Sequence, residues 1–424
     1  MLMRYTKVVV TLVLVLALRS TSLAQTDEAQ PPTPPAAATH TQTQLAVFDE
    51  IWQTVREHFY DPTLRGLDWT AIREKYRPLV AAAADEERSA VFNRMLAELA
   101  ASHTGHYTPA DPAYYQLLDI FSGALRRGLR RVFPSGQVTY PGIGIFTRRI
   151  GDKTFISGVL DGLPAAHAGL QVGDELLTAD GAAYQPVRAF TTKVRQEVVL
   201  QVRRSPDGPP QDIVVVPEQI KPNEAFLQAM QESARIINTD GVKIGYIHVW
   251  SYAGPQYQSL LEREVFAGTL QAADALVLDL RDGWGGAQAQ YLDPFIAQGP
   301  TVTMVDRDGD VSVANAKWRK PVVMLINSGT RSGKEILAYG FKKYGLGEVI
   351  GTRTAGAVLA GRVFLLSDGS LLLLAVDDVF VDGQRLEGVG VTPTIEVPFA
   401  VEYAQGKDPQ LERAIELLSR SVRG

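Results

Sequence analysis

The chain has 424 residues, 46% hydrophobic and 21% charged, a balance that builds packed cores over a length that implies two or three domains. A net charge of -5 provides no basic field, which excludes nucleic acid and an anionic membrane surface as expected partners. With no cysteine, a lipoprotein anchor, disulfides, thiolate metal sites and a cysteine nucleophile are also excluded.

In residues 1–24, Arg4 and Lys7 precede an apolar run from Val8 to Leu18, and small residues follow to Ser22-Leu23-Ala24. This is the pattern of a secretory signal cleaved after Ala24. The run falls well short of the roughly 20 residues that cross a bilayer core, so no stable membrane span is expected after cleavage. Residues 25–42 contain Pro31-Pro32-Thr33-Pro34-Pro35 and read as a tether, because proline lacks the backbone donor and fixes its own angle. Leu45, Phe48, Ile51, Trp52, Val55 and Phe59 follow helical spacing up to Asp61-Pro62. Further helical stretches run from Ile72 to Leu79 and through Val91, Met95, Leu96 and Leu99. Together they predict a helical domain over 43–116 that contains Ser102-His103-Thr104-Gly105.

From Val138 short apolar runs alternate with glycine turns, as in a small β-rich module. Gly142-Ile143-Gly144-Ile145, Leu163-Pro164-Ala165-Ala166, Ala168-Gly169-Leu170 and Gly173-Asp174 make residues 138–218 resemble a PDZ domain. The resemblance implies that Gly142, Ile143, Gly144 and Ile145 bind a peptide's terminal carboxylate through backbone amides while the peptide adds a strand.

A linker helix is predicted from Asn223 to Ile237. Strands at Ile244–Val249, Ala275–Leu280, Val322–Ile326 and Glu348–Ile350, alternating with helices, predict an α/β core over 219–405, followed by a helix in 406–424. One strand runs into Asp282-Gly283-Trp284-Gly285-Gly286, a turn whose glycines let backbone amides approach a substrate. Another runs through Asn327-Ser328-Gly329-Thr330-Arg331 to Ser332-Gly333-Lys334-Glu335 at a helix start. A serine there sits at the positive end of the helix, though an N-cap is the ordinary role for such a residue. The Gly329 to Lys334 stretch is not a phosphate loop, because the glycine spacing is too short and Glu335 stands where Ser or Thr is required.

These two junctions, Gly351-Thr352-Arg353-Thr354-Ala355-Gly356-Ala357 and Leu386-Glu387-Gly388-Val389-Gly390 occur in the order seen in C-terminal processing (tail-specific) serine peptidases, which the chain resembles over nearly its whole mature length. The resemblance implies a multidomain α/β (α+β) fold, with a crotonase-like α/β peptidase core, an inserted PDZ β-module and an N-terminal helical domain. It makes Ser332 the nucleophile, three residues before the helix glutamate Glu335. The lysine base of many members is absent, because Thr354-Ala355-Gly356-Ala357 stands in its place, and Lys334 lies along the same helix and would point away. The tricorn-type branch is similar in the Gly-Thr-Arg-Thr-x-Gly segment and carries a Ser-His pair and a glutamate, which fall on Ser102-His103 and Glu387. The implied catalytic set is therefore Ser332, His103, Ser102 and Glu387, with an oxyanion hole from the amide of Gly333 and that of Gly285 or Gly286. His106 is the competing base, and Trp284 stands where the family usually has glycine.

The implied activity is exported, bacterial, serine-type endopeptidase chemistry, periplasmic or secreted, on protein or peptide substrates with exposed C-termini. No cofactor and no metal are expected. A non-catalytic relative that binds peptides or other ligands as a scaffold is the alternative.

Overall fold

The computed structural model describes residues 37–424 apart from 297–300, 306, 308–309 and 316, so the expected signal and the proline run lie outside the described residues. The first helix, Ala37–His58, starts within the stretch read as tether, just past Pro35. Helices Trp69–Ala82, capped by the Asp68 side chain, and Asp85–Ala97 follow. Their buried faces (Phe48, Ile51, Val55, Tyr76, Val80, Phe92, Met95) close on Leu359, Leu366, Leu372 and Leu374, which come from far along the chain. Strand Gly105–Tyr107 pairs antiparallel with Leu371–Asp377, itself paired with Ala360–Leu365. The helical region is thus sealed by a hairpin of the later chain. Two more helices, Pro112–Ile120 and Ser122–Val132, occupy a stretch that the periodicity reading leaves partly unassigned.

Strands Tyr140–Gly142 and Glu218–Ile220 pair antiparallel and form the stalk of an inserted β-module. Its sheet runs in the order Ile145–Ile150, Lys153–Val159, Glu175–Ala179, Val198–Arg203, Gln211–Val215, around a core that includes Ile143, Ile156, Leu176, Phe190, Leu200 and Val202. Ile145–Ile150 forms one edge of that sheet.

The linker helix is Pro222–Ser233, shorter than expected because Arg235–Thr239, which contains Ile237, is already a strand of the main sheet. That sheet has the order Arg235–Thr239, Val242–His248, Ala275–Asp279, Val322–Ile326, Val349–Gly351, Ile395–Glu396, with every pair but the first parallel. Alternate residues face opposite layers, as the pleat requires. Ile244, Val277, Val323 and Ile350 meet Ala414 and Leu418 of the C-terminal helix Pro409–Arg423, while Leu276, Leu278, Met324 and Ile326 meet Leu337 and Phe341 of helix Gly333–Lys343. Both faces are covered, which explains why these strands read as unbroken apolar runs. Among the described residues no helix is long and apolar enough to cross a membrane.

Candidate active site

Neighbouring parallel strands end on the same side of a sheet, so the turns after Ala275–Asp279 and Val322–Ile326, whose Asp279 and Leu325 are paired, emerge together. At the second turn Ser332 has φ 57° and ψ -132°, a conformation that costs a non-glycine residue energy and persists only when its surroundings enforce it. They do so through the backbone. Ser332 N–H donates to Ala357 O at 2.8 Å and to Glu335 Oε2 at 3.2 Å, and Ser332 O accepts from Glu335 N at 2.8 Å. Buried Glu335 also accepts from Thr354 Oγ1 (2.6 Å), Gly356 N (2.7 Å) and Ala357 N (2.8 Å), which ties the Thr354–Ala357 segment to the start of the helix. Burial pushes this carboxyl above its ordinary range, and the four donors oppose the push.

The glycine turn is rooted by buried Arg281, which bridges Asp279 and Asp408 at 2.6 Å each. A Cβ on Gly285 would collide with Ser332 Cβ and lie 2.9 Å from Arg331 O and 3.1 Å from Gly333 N, so only glycine lets this backbone reach the serine. Gly286 abuts Ala253 and Tyr252 instead. Lys334 does not reach toward the serine. It is fully buried and its Nζ donates to Asp282 O at 2.8 Å, fastening the glycine turn to the helix that Ser332 opens. Burial pulls its ammonium down to about 7.

His103, with φ 50°, lies against Gly361, where a Cβ would stand 3.1 Å from its ring carbon Cδ2. His103 Nδ1 is 3.0 Å from Ser102 Oγ, and Ser102 Oγ donates to Glu387 Oε2 at 2.8 Å. The Glu387 carboxylate also accepts from Ser102 N (2.9 Å), Val358 N (2.8 Å) and Leu359 N (3.2 Å). These contacts settle the tautomer. The hydroxyl has one hydrogen, and the carboxylate takes it, so Nδ1 must donate to Ser102 and the lone pair is left on Nε2. Desolvation, helped by the Arg331 cation and opposed by Glu387, lowers the imidazole to about 4, so it is a neutral acceptor at pH 7.

Ser332, His103, Gly285, Gly286 and Arg331 line one cavity of about 230 Å³, with walls of Leu117, Ile120, Phe121, Ala253, Trp284 and Leu373. Ser332 and His103 both face it, without a hydrogen bond between them. His106 sits apart: its Nδ1 meets Ser89 Oγ and its Nε2 meets Ser370 Oγ, both at 2.9 Å, and the ring packs edge-on to Phe92. Both nitrogens are engaged in a buried network. His248 is likewise held, by Arg281 O and the face of Trp250.

Gly142, Ile143, Gly144 and Ile145 line a separate cleft with Tyr184, Val187 and Phe190, of only about 20 Å³, roughly one water's room. A broader cleft of about 630 Å³ runs from the edge strand (Ile145, Phe146, Thr147, Arg148) past Asp282 and Gly283 to Trp284 and Arg331. Among the described residues no group of three or more His, Cys, Asp or Glu side chains is gathered as metal ligands would be.

The sequence reading missed the walls from helix Pro112–Ile120 and the Lys334 anchor. The helix was detectable, because Pro112 at a helix start and Tyr114, Leu117, Leu118 and Phe121 carry the spacing. The anchor was not, since nothing in the sequence pairs Lys334 with a carbonyl of a distant turn.

Residues 243–397 match the family model described as Peptidase family S41, and residues 42–99 match the Tricorn protease C1 domain. Tricorn protease homolog 1 of Streptomyces coelicolor is 26% identical over 88% of this chain and 34% of its own length. The carboxyl-terminal-processing protease of a Synechocystis strain is 26% identical over 92% of this chain and 90% of its own. The chain spans about a third of the length of the tricorn-type relatives from Streptomyces coelicolor that it matches. Among solved structures, the tricorn protease superposes with a TM-score of 0.55 at 22% identity, covering 91% of this chain and 37% of that one. Mature CPAF in complex with lactacystin superposes with a TM-score of 0.51 at 14% identity, covering 90% of this chain and 99% of that one. At these identities the superpositions speak to the fold alone, a mixed α/β architecture shared with both.

Proposed function

The chain belongs to peptidase family S41, and from that premise we propose that it is an exported serine endopeptidase that hydrolyses peptide bonds through an acyl-enzyme on Ser332. The observation that carries the proposal is the convergence, on one cavity, of a strained helix-opening serine with a neutral imidazole whose free nitrogen is fixed by the chain Glu387 to Ser102 to His103. His103 Nε2 removes the Ser332 hydroxyl proton as the oxygen attacks the scissile carbonyl. The tetrahedral oxyanion lies against the amides of Gly333, the first of the helix and without an intrahelical acceptor, and Gly285. The imidazolium then gives its proton to the leaving amine, and a water activated by the same nitrogen releases the acyl group. Ser102 and Glu387 orient the ring and stabilise its cationic form.

The inserted β-module acts as a PDZ domain in this reading. A substrate's C-terminus docks at Gly142 to Ile145, widening the narrow cleft there, and the preceding segment adds to the edge strand Ile145–Ile150, whose side chains already line the large cleft leading toward Ser332. A signal-directed location outside the cytoplasm fits the N-terminal sequence.

The test is active-site labelling. A fluorophosphonate should add one equivalent to the mature protein, located at Ser332 by peptide mass analysis, and His103→Ala should slow labelling at least a hundredfold. No addition, or addition elsewhere, would favour the binding-scaffold alternative.

A further inference from the structure

The glycine turn carries a bulky residue at Trp284, and this side chain is held in place from two sides. Its Nε1 donates to Gln116 Oε1 at 2.9 Å, and the Arg331 guanidinium lies 5.7 Å from the ring centroid. Trp284 and Arg331 are the two residues that line both the 230 Å³ cavity around Ser332 and the 630 Å³ cleft leading to it, so together they form the threshold between them.

The charge at this threshold is unbalanced. The carboxylate in the cleft, Asp282, is already engaged, by Asn327 Nδ2 at 2.9 Å and Arg148 at 3.5 Å. Arg331 has no ion pair or side-chain hydrogen bond among the described residues, and its described contact is the Trp284 face. A ring face attracts and orients a guanidinium without neutralising it, and with Nε buried and unpartnered the terminal N–H donors are left for a planar anion. The remaining cavity walls, Leu117, Ile120, Phe121 and Leu373, are apolar.

We infer that Arg331, held by Trp284, is a specificity-determining residue that selects substrates placing a carboxylate beside the scissile bond while the apolar cavity takes a neighbouring aliphatic or aromatic side chain. The inference rests on the peptidase reading above. A charge-assisted pair at this partly buried position should be worth about tenfold in kcat/KM. The carboxylate could be an Asp or Glu side chain or the α-carboxylate of a short peptide, and the two sources are separable.

The experiment uses the mature full chain and quenched fluorescent peptides that differ only in carrying Glu, Gln or Lys at positions flanking the cut, each made as C-terminal acid and amide. Wild type should prefer Glu about tenfold at one flanking position, Arg331→Gln should bring that ratio near one, and Arg331→Glu should reverse it toward a Lys-bearing peptide. A preference for the acid over the amide that Arg331→Gln also abolishes supports the inference with the terminus as the carboxylate. Equal wild-type rates for all the Glu and Gln peptides, acid and amide alike, or a Glu preference that survives Arg331→Gln, overturn the inference while leaving the peptidase reading intact. A wild type that cuts nothing defeats both.

Discussion

Glu387→Gln separates a catalytic relay from a structural anchor. Glu387 Oε1 accepts one donor, Ser102 N, whereas Oε2 accepts three: Ser102 Oγ, Val358 N and Leu359 N. The amide will therefore keep its oxygen at the Oε2 position and turn its NH₂ toward Ser102 N, which leaves one buried donor facing another. That mismatch should cost about 1–3 kcal/mol of stability, whereas Glu387→Ala strands all four donors and should cost about 3–5 kcal/mol. Because Ser102 Oγ can still donate to the amide oxygen, the His103 tautomer survives. What is lost is the negative charge that stabilises the imidazolium, so kcat should fall by about a hundredfold or more with KM little changed. Initial rates on a quenched peptide, with calorimetric Tm measured alongside, read both quantities. A Glu387→Gln protein with lowered Tm but wild-type kcat would leave Glu387 as no more than an anchor for the Val358–Leu359 backbone.

In the proposed mechanism His103 is a neutral base, and burial holds it down to about 4, so kcat/KM should stay level through pH 5 and fall as the ring protonates near pH 4; a limb near 6.5 would mean a hydrated, unshielded ring. The same shift carries a stability cost with a definite sign. The unfolded imidazole binds a proton below about 6.5 and the folded one only near 4, so stability should drop between those values by at most about 1.4 kcal/mol per pH unit for this group. Lys334→Met removes a buried cation of similar size, so Tm should hold or rise, but the glycine turn loses its Asp282 anchor and kcat should fall about tenfold; unchanged kcat would deny the anchor a part in catalysis. His106→Gln should lower stability by about 2–3 kcal/mol through lost contacts to Ser89, Ser370 and Phe92 while kcat at 25 °C stays within about twofold; a collapse in kcat with intact Tm would return His106 to the list of bases.

Much of this arrangement could be read in the sequence because it is written in local signals. The strands Ala275–Asp279 and Val322–Ile326 are short apolar runs closed by glycine-bearing turns, and Ser102-His103 and Glu387 stand in recognisable segments. The boundaries that shifted did so for tertiary reasons. Ile237 continues a helical pattern locally, yet its segment pairs with Val242–His248 and is pulled into the sheet. Nor does a sequence show that Leu366, Leu372 and Leu374 cap the core of the helical region. The Lys334 contact, the coupling of Trp284 to Gln116 and the cation at Arg331 are side-chain meetings between distant segments, with no period or motif to announce them.

Joint action of Ser332 and His103 on a peptide bond can be read from cleavage of a loosely folded reporter with an apolar C-terminus. Wild type should cut it, and Ser332→Ala and His103→Ala should each lose at least a thousandfold in kcat/KM while keeping the wild-type Tm to within about 2 °C. An inert wild type, or Ser332→Ala cutting at the wild-type rate, would rule out that pairing as the catalytic centre.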